Sequence, residues 1–173
     1  MEANGVCALF HTATSHKQNQ INMAIYGVGS NWSGEELRER FFSEGRFILG
    51  WNEESANDLY AFVASLKVGD ILYIKSNQPG SRTIRVKGIG IVTRNLLTCM
   101  SSGEFIHAAI SDWESLFVEV AWIRRDEFHV HIPENEGKLT NIRAATIYEE
   151  YLPFVQEAII GRIIHVAPEP HAT

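Results

Sequence analysis

Four tryptophans, Trp32, Trp51, Trp113 and Trp122, are the side chains of this sequence best suited to holding a flat ligand. A nucleobase has two π faces, and stacking one of them on an aromatic ring is worth roughly 1–3 kcal/mol. A cage of two or three rings also prefers a methylated edge, because the added methyl is buried without the loss of a hydrogen bond. Trp32, Trp51 and Trp113 fall at the ends of predicted elements, where a ring can face a cleft. Trp122 lies inside an alternating run and reads as core. Each of the four also has a plainer explanation, since large aromatic rings commonly just fill cores.

Phosphate chemistry needs cations, and the net charge of −6 at pH 7 excludes a sequence-blind nucleic-acid coat. The distribution is more telling than the sum. Between positions 67 and 94 the bases Lys67, Lys75, Arg82, Arg85, Lys87 and Arg94 meet one acid, Asp70, after a segment rich in Glu. Lys75, Arg82, Arg85 and Lys87 could therefore hold phosphates while a pocket reads one extruded base. An ordinary solvated hairpin face explains them equally well.

Other chemistries are poorly supplied. His129 and His131 alternate at a spacing that metal sites use, but no third ligand falls nearby, and no metal is expected. Cys7 and Cys99 lack a CxxC partner and read as small apolar residues. Gly88 and Gly90 sit in a strand-like run with no following helix start, so a nucleotide cofactor is not expected. Ser, His and Asp occur without a nucleophile elbow. Lys75 would need burial to act as a base.

The elements that must position these residues are partly legible. INMAIYGVGS, ending at Ser30, reads as a buried strand. Ser33 with Glu36 has capping-box spacing and predicts a helix start, with Leu37 and Phe41 on its inner face and Gly45 as its stop. RFILGW predicts a short strand delivering Trp51. A second helix, capped by Ser55 with Asp58, buries Leu59, Phe62, Val63 and Leu66. The stretch from Gly69 to Val92 predicts a hairpin with Gly88 and Gly90 at a bulge or bend. Leu96 to Trp113 reads as a loop, Leu116 to Arg124 as a strand, and Glu127 to Ile132 as an edge strand. Tyr148 to Ile160 has a helical look, with Pro153 in a first turn and Gly161 closing it. The order is not the repeating βα alternation of a doubly wound sheet, and fits an α+β fold with a small, partly closed barrel and helices outside it.

The residues IYGVGS, GRFILGW, DILYIKSN, GIGIV and DWESLFVEVAWI follow one another as the matching pieces do in the YTH and EVE branches of the PUA-like superfold, and the resemblance covers roughly positions 21–132. It implies a modified-base reader, in which Trp51 and Trp113 take the two cage positions and Trp122 the strand position. It further implies that Ser30 and Asn31, at the end of the first strand, and Asn52, beside the cage, supply the polar contacts. Where the YTH pattern closes its first strand with Lys-Ser, this sequence has Gly29-Ser30. Related ASCH domains include enzymes that use Lys with Tyr, Thr or Glu, and Lys75, Tyr73 and Glu119 are the residues available for those roles.

The expectation is thus a PUA-like domain over positions 21–165, preceded by an irregular arm (1–20, with a short strand at Val6 to Phe10) and followed by a tail (166–173). It is a non-enzymatic binding module for DNA or RNA with a modified base, its base pocket formed by Ser30, Asn31, Trp32, Trp51, Asn52 and Trp113. It carries no cofactor and works with a separate effector protein. The alternatives are a small ASCH-like enzyme acting on nucleosides or RNA, or a protein-interaction domain. No run approaches the ~20 apolar residues of a membrane span and GVCALF lacks the marks of a signal peptide, which predicts a cytoplasmic protein.

Overall fold

A computed structural model describes residues 23–51, 56–78, 80–102, 116–135 and 146–165. The strand expected at Val6 to Phe10, the arm and tail, Cys7, Asn52, Ser55 and Trp113 lie outside the described residues.

The predicted hairpin is the centre of the fold. β5 (Ile71–Ser76) pairs antiparallel with β6 (Thr83–Arg94), and β6 is long enough at 12 residues to pair along its other side with both β7 (Phe117–Arg124) and β8 (Phe128–His131). β1 (Ile25–Val28) adds parallel to β5, β4 (Arg46–Ile48) antiparallel to β7, and β9 (Ile147–Glu149) antiparallel to β1. The path is β4-β7-β6-β5-β1-β9, with β8 on β6. Register shifts at Ile74/Lys75, Ile89/Gly90 and Val92/Arg94 bend this sheet into a curled half-barrel. The close approach anticipated at the strand glycines is real: a Cβ on Gly90 would lie 2.4 Å from Val120 Cγ1, and one on Gly88 2.6 Å from the Phe42 ring.

Alternation along β5 splits the core in two. Leu72 and Ile74 face one way, with Phe41, Phe47, Val63 and Trp122, under α1 (Arg38–Glu44), α2 (Asn57–Ser65) and α3 (Leu96–Ser101). Ile71 and Tyr73 face the other way, with Val86, Val130 and Tyr148, under α4 (Pro153–Ile164). Trp122 is core, as its place in an alternating run predicts; it stacks parallel to Phe41 at 6.4 Å and meets Phe42 edge-on at 5.5 Å. No helix among the described residues is long and apolar enough to cross a membrane.

Four local expectations need correction, the first being the loop read from Leu96, where Leu96–Ser101 instead forms α3 with Asn95 as its cap. Ser33 does not cap a helix: with Gly34 it forms the tight turn between β2 (Asn31–Trp32) and β3 (Glu35–Glu36), both turn residues having positive φ, 50° and 95°. The helix starts at Arg38, whose amide donates to Glu36 Oε1 at 3.1 Å, so the Glu36 carboxylate serves the helix start ahead of it and not, as in the expected box, the Ser33 amide behind it. Leu37 and Phe41 are buried and Gly45 ends the helix in the left-handed conformation, as expected. In α2 Phe62 is exposed and Tyr60 is buried in its stead. Tyr148 belongs to a strand, α4 begins at Pro153, and Gly161 lies inside that helix, which closes at His165.

Candidate functional site

The turn after β1 and the segment after β4 meet at one corner of the sheet. Gly29 donates its amide to the Thr146 carbonyl at 2.7 Å, while the Trp51 indole Nε1 donates to the Thr146 hydroxyl at 3.1 Å. One residue thus holds both the end of the first strand and the ring of Trp51. The Trp51 carbonyl accepts from the buried Tyr60 hydroxyl at 2.6 Å, which pins its backbone to α2. Even so, Trp51 is 49% exposed. A tryptophan buries up to about 250 Å² in a core, so leaving about half of that in water forgoes roughly 3 kcal/mol of burial free energy.

Trp32 is half-buried behind this corner. Its indole lies flat against Gly50, where an added Cβ would come 2.2–2.6 Å from the ring; the φ of +79° at Gly50 also requires glycine. Trp32 meets Phe41 edge-on at 6.2 Å, so it is the back wall of the corner, joined to the helix-side core. Ser30 is buried; its carbonyl accepts the Leu37 amide at 2.8 Å and its hydroxyl is turned toward the Glu36 carboxylate without closing a well-formed hydrogen bond. Asn31 is exposed, and its Oδ1 accepts from the Gly34 amide at 3.1 Å. Ser30, Asn31, Trp32 and Trp51 are therefore brought together around Gly29, Gly50 and Thr146.

The four hairpin bases are not brought onto one face. Lys75 and Lys87 are buried, because β5 and β6 are packed on both faces and alternation there does not lead to water. Lys87 pairs with Glu36. Burial alone would raise the Glu36 carboxyl, but the hydrogen bonds it accepts, chiefly from Lys87, outweigh that and hold it below the usual range. Arg85 pairs with Glu127 through Nε at 2.8 Å, and Arg82 donates to the carbonyls of Pro133 and Glu134 at 2.7 and 3.3 Å.

A second polar cluster, on the α4 side of the sheet, joins Tyr73 and Lys75, both named from the sequence, to Tyr148 and Glu150, which sequence reasoning missed. The Tyr73 and Tyr148 hydroxyls lie 2.8 and 3.1 Å from Glu150 Oε2 and within hydrogen-bond reach of each other, so their two protons are shared over three contacts. Glu150 Oε1 accepts the Leu152 amide at 3.1 Å, at the start of α4. Lys75 Nζ lies 5.4 Å from the centre of the Tyr148 ring. Burial first, then the adjoining Tyr148 and Glu150, pushes the Tyr73 phenol well up, and burial brings the Lys75 ammonium down to about 8. Glu119 is elsewhere, paired with Arg94 at 2.7 Å. The signal for Glu150 was Pro153: a proline fits at a helix start and disfavours helix before it, which leaves Tyr148 to Leu152 extended. Among the described residues no group of three or more His, Cys, Asp or Glu is placed to hold a metal.

No family model matches this sequence, and no curated protein matches it. Solved structures similar to it include the YTH domain of Zygosaccharomyces rouxii MRB1 protein, in complex with N6-methyladenosine RNA, at 19% identity, with a TM-score of 0.47 over 86% of this chain and 92% of that one. Another is a hypothetical protein from Leishmania major, at 13% identity and a TM-score of 0.46 over 82% of this chain and 94% of that one.

Proposed function

We propose that this chain is a nucleic-acid-binding module that reads a modified base at the corner after β1, without catalysis or cofactor. The observation that carries the reading is the Trp51 indole: it is half in water, yet its ring nitrogen and its backbone are both fixed. A plate oriented in advance loses little entropy when a planar guest stacks on it. The base would lie on Trp51 with Trp113 across from it and Trp32 behind, while Ser30, Asn31 and Asn52 read its polar edge. In this reading Arg82 and Arg85 would exchange their present partners for flanking phosphates, since Lys75 and Lys87 are buried. Effector action would come from a separate protein, and the cytoplasm is the compartment proposed.

The test is a fluorescence-quenching titration of the chain with a panel of methylated and unmodified nucleosides and short single-stranded DNA and RNA. Saturable quenching that favours a methylated base is expected. With one phosphate neutralised by each of two arginines, the log–log salt slope should be about −1.4 on a single strand. Quenching identical across the panel, or affinity indifferent to salt, would remove the reading.

One observation favours an enzyme as the second reading. Lys75, at about 8, sits beside the ring of Tyr148, whose hydroxyl bonds Glu150, and an amine at that value can exchange a proton near neutral pH. Chromatographic loss of a nucleoside substrate, abolished by Lys75→Ala, would select it over base reading.

A further inference from the structure

A cleft of about 500 Å³ separates β8 from α4, on the far side of the molecule's cores from Trp32. It is lined by four consecutive residues of β8, Phe128 to His131, and by one stripe of α4 from Phe154 to His165 at spacings of three and four. Consecutive strand residues point to opposite faces, so a cleft that touches all four runs along the backbone edge of the strand. β8 pairs with β6 on its other side, and no strand among the described residues pairs with the edge that faces the cleft.

The direction of the edge groups follows from the ladder. Ile132 donates its amide to the Arg82 carbonyl at 2.8 Å, so Ile132 points toward β6. Residues of an antiparallel strand alternate in that respect, hence Val130 and Phe128 also point inward and His129 and His131 present their N–H and C=O groups outward. An unpaired row of this kind is a template for one more strand. Room exists for it, since a Cβ on Gly161 would meet no atom within 4 Å.

The charge of the lining selects the occupant. In a chain of net charge −6, the cleft wall carries two cations, Arg124 and Arg162, against one acid, Glu157, with three histidines whose ring N–H groups can donate to a carboxylate. Arg124 is held by Asp126 at 2.8 Å, and Arg162 stacks over Phe128 at 4.5 Å, on the wall. A second copy pairing edge to edge about a two-fold axis would set these histidines and Arg162 against their own images. We infer that β8 and α4 form a groove for an extended acidic segment of a partner protein, which adds to β8 as a strand. The inference is independent of the base-reading corner.

The experiment is amide NMR of the full chain titrated with a blocked octapeptide of alternating Asp and Val. Its controls are the same peptide N-methylated at alternate amides, an alternating Lys-Val octapeptide, and an octathymidylate. Saturable shifts at His129 and His131 with the Asp-Val peptide are expected, at least tenfold weaker with the N-methylated and Lys-Val peptides. His129→Pro removes an outward amide and spares the β6 ladder, and edge strands tolerate proline. Gly161→Leu fills the cleft while favouring the helix. Each should weaken the peptide at least tenfold, with Tm moved by less than about 4 °C, the change that ~1 kcal/mol makes in a chain of this size. Equal binding of the N-methylated peptide, binding untouched by both variants, or no shift with any peptide would overturn the inference. So would shifts at the groove with octathymidylate alone, which would make it a phosphate track.

Discussion

The polar cluster beneath α4 and the aromatic corner after β1 deploy similar groups to opposite ends. Around Glu150, two phenols, a carboxylate and a helix-start amide satisfy one another, and each of those side chains is at most 5% exposed. At the corner a tryptophan is held by two hydrogen bonds and left 49% exposed. Buried polar groups are costly unless paired, so the first arrangement spends its capacity on folding. The second keeps apolar area unspent while fixing its direction. Capacity left over by folding, and already oriented, is what a binding site requires, and the proposed reading accordingly sets its ligand at Trp51 and the stability at Glu150.

Substitutions can break that contrast, beginning with the largest effect. Glu150→Leu should cost about 2–5 kcal/mol in urea unfolding, because the Leu152 amide and one of the two phenols, which can still bond each other once, lose their acceptor, at about 1–3 kcal/mol for each group left unsatisfied. A loss under ~1 kcal/mol would mean the cluster is not a folding element. Gly50→Ala comes next, at about 2–4 kcal/mol: the new Cβ would meet the Trp32 indole at 2.2 Å and the residue must hold a φ of +79°. It should also shift Trp51 fluorescence, since residue 50 adjoins it.

Lys75 sharpens the contrast through pH. With its folded value near 8 and its ordinary value at 10.5, it is charged in both states below pH 8 and costs stability there, on the order of 3 kcal/mol. Between pH 8 and 10.5 the unfolded chain binds more protons than the folded one, so stability from this group rises with pH. Lys75→Met should therefore be more stable than the parent at pH 7, with the advantage shrinking across that window. The Tyr73 phenol, pushed up, acts oppositely: above pH 10 the unfolded chain ionises first and stability falls, a decline that Tyr73→Phe should soften. A pH-independent gap between Lys75→Met and the parent would contradict an ammonium brought down by burial.

Much of the scaffold was readable because it rests on strong periodicity. The β5–β6 hairpin, β7, the β8 edge, Gly45 at the end of α1 and Pro153 at the start of α4 follow from patterns whose physical causes are local. The misses share another cause. Ser33 and Glu36 fit a capping box by spacing, but two residues of strand pairing and a Ser-Gly turn took precedence. Tyr148 and Glu149 look helical by composition, and apart from the proline that follows it is β1, distant in sequence, that makes them a strand. Of the corner, Ser30, Asn31, Trp32 and Trp51 were legible as residues after strands, while Thr146, Gly50 and Tyr60, which orient them, carry no signal apart from their tertiary partners. The hairpin lysines were misplaced for a related reason: alternation tells two faces apart but not whether either one meets water.

The most direct test is Trp51→Ala, with Tm and affinity for a methylated single-stranded oligonucleotide measured on the same preparation. Loss of one stacking plate, about 1–3 kcal/mol, should weaken binding about 5- to 150-fold, while the buried half of the ring, worth up to about 3 kcal/mol, lowers Tm by no more than about 12 °C. A variant that melts far lower yet binds as tightly as the parent would show that the indole serves the fold and reads nothing.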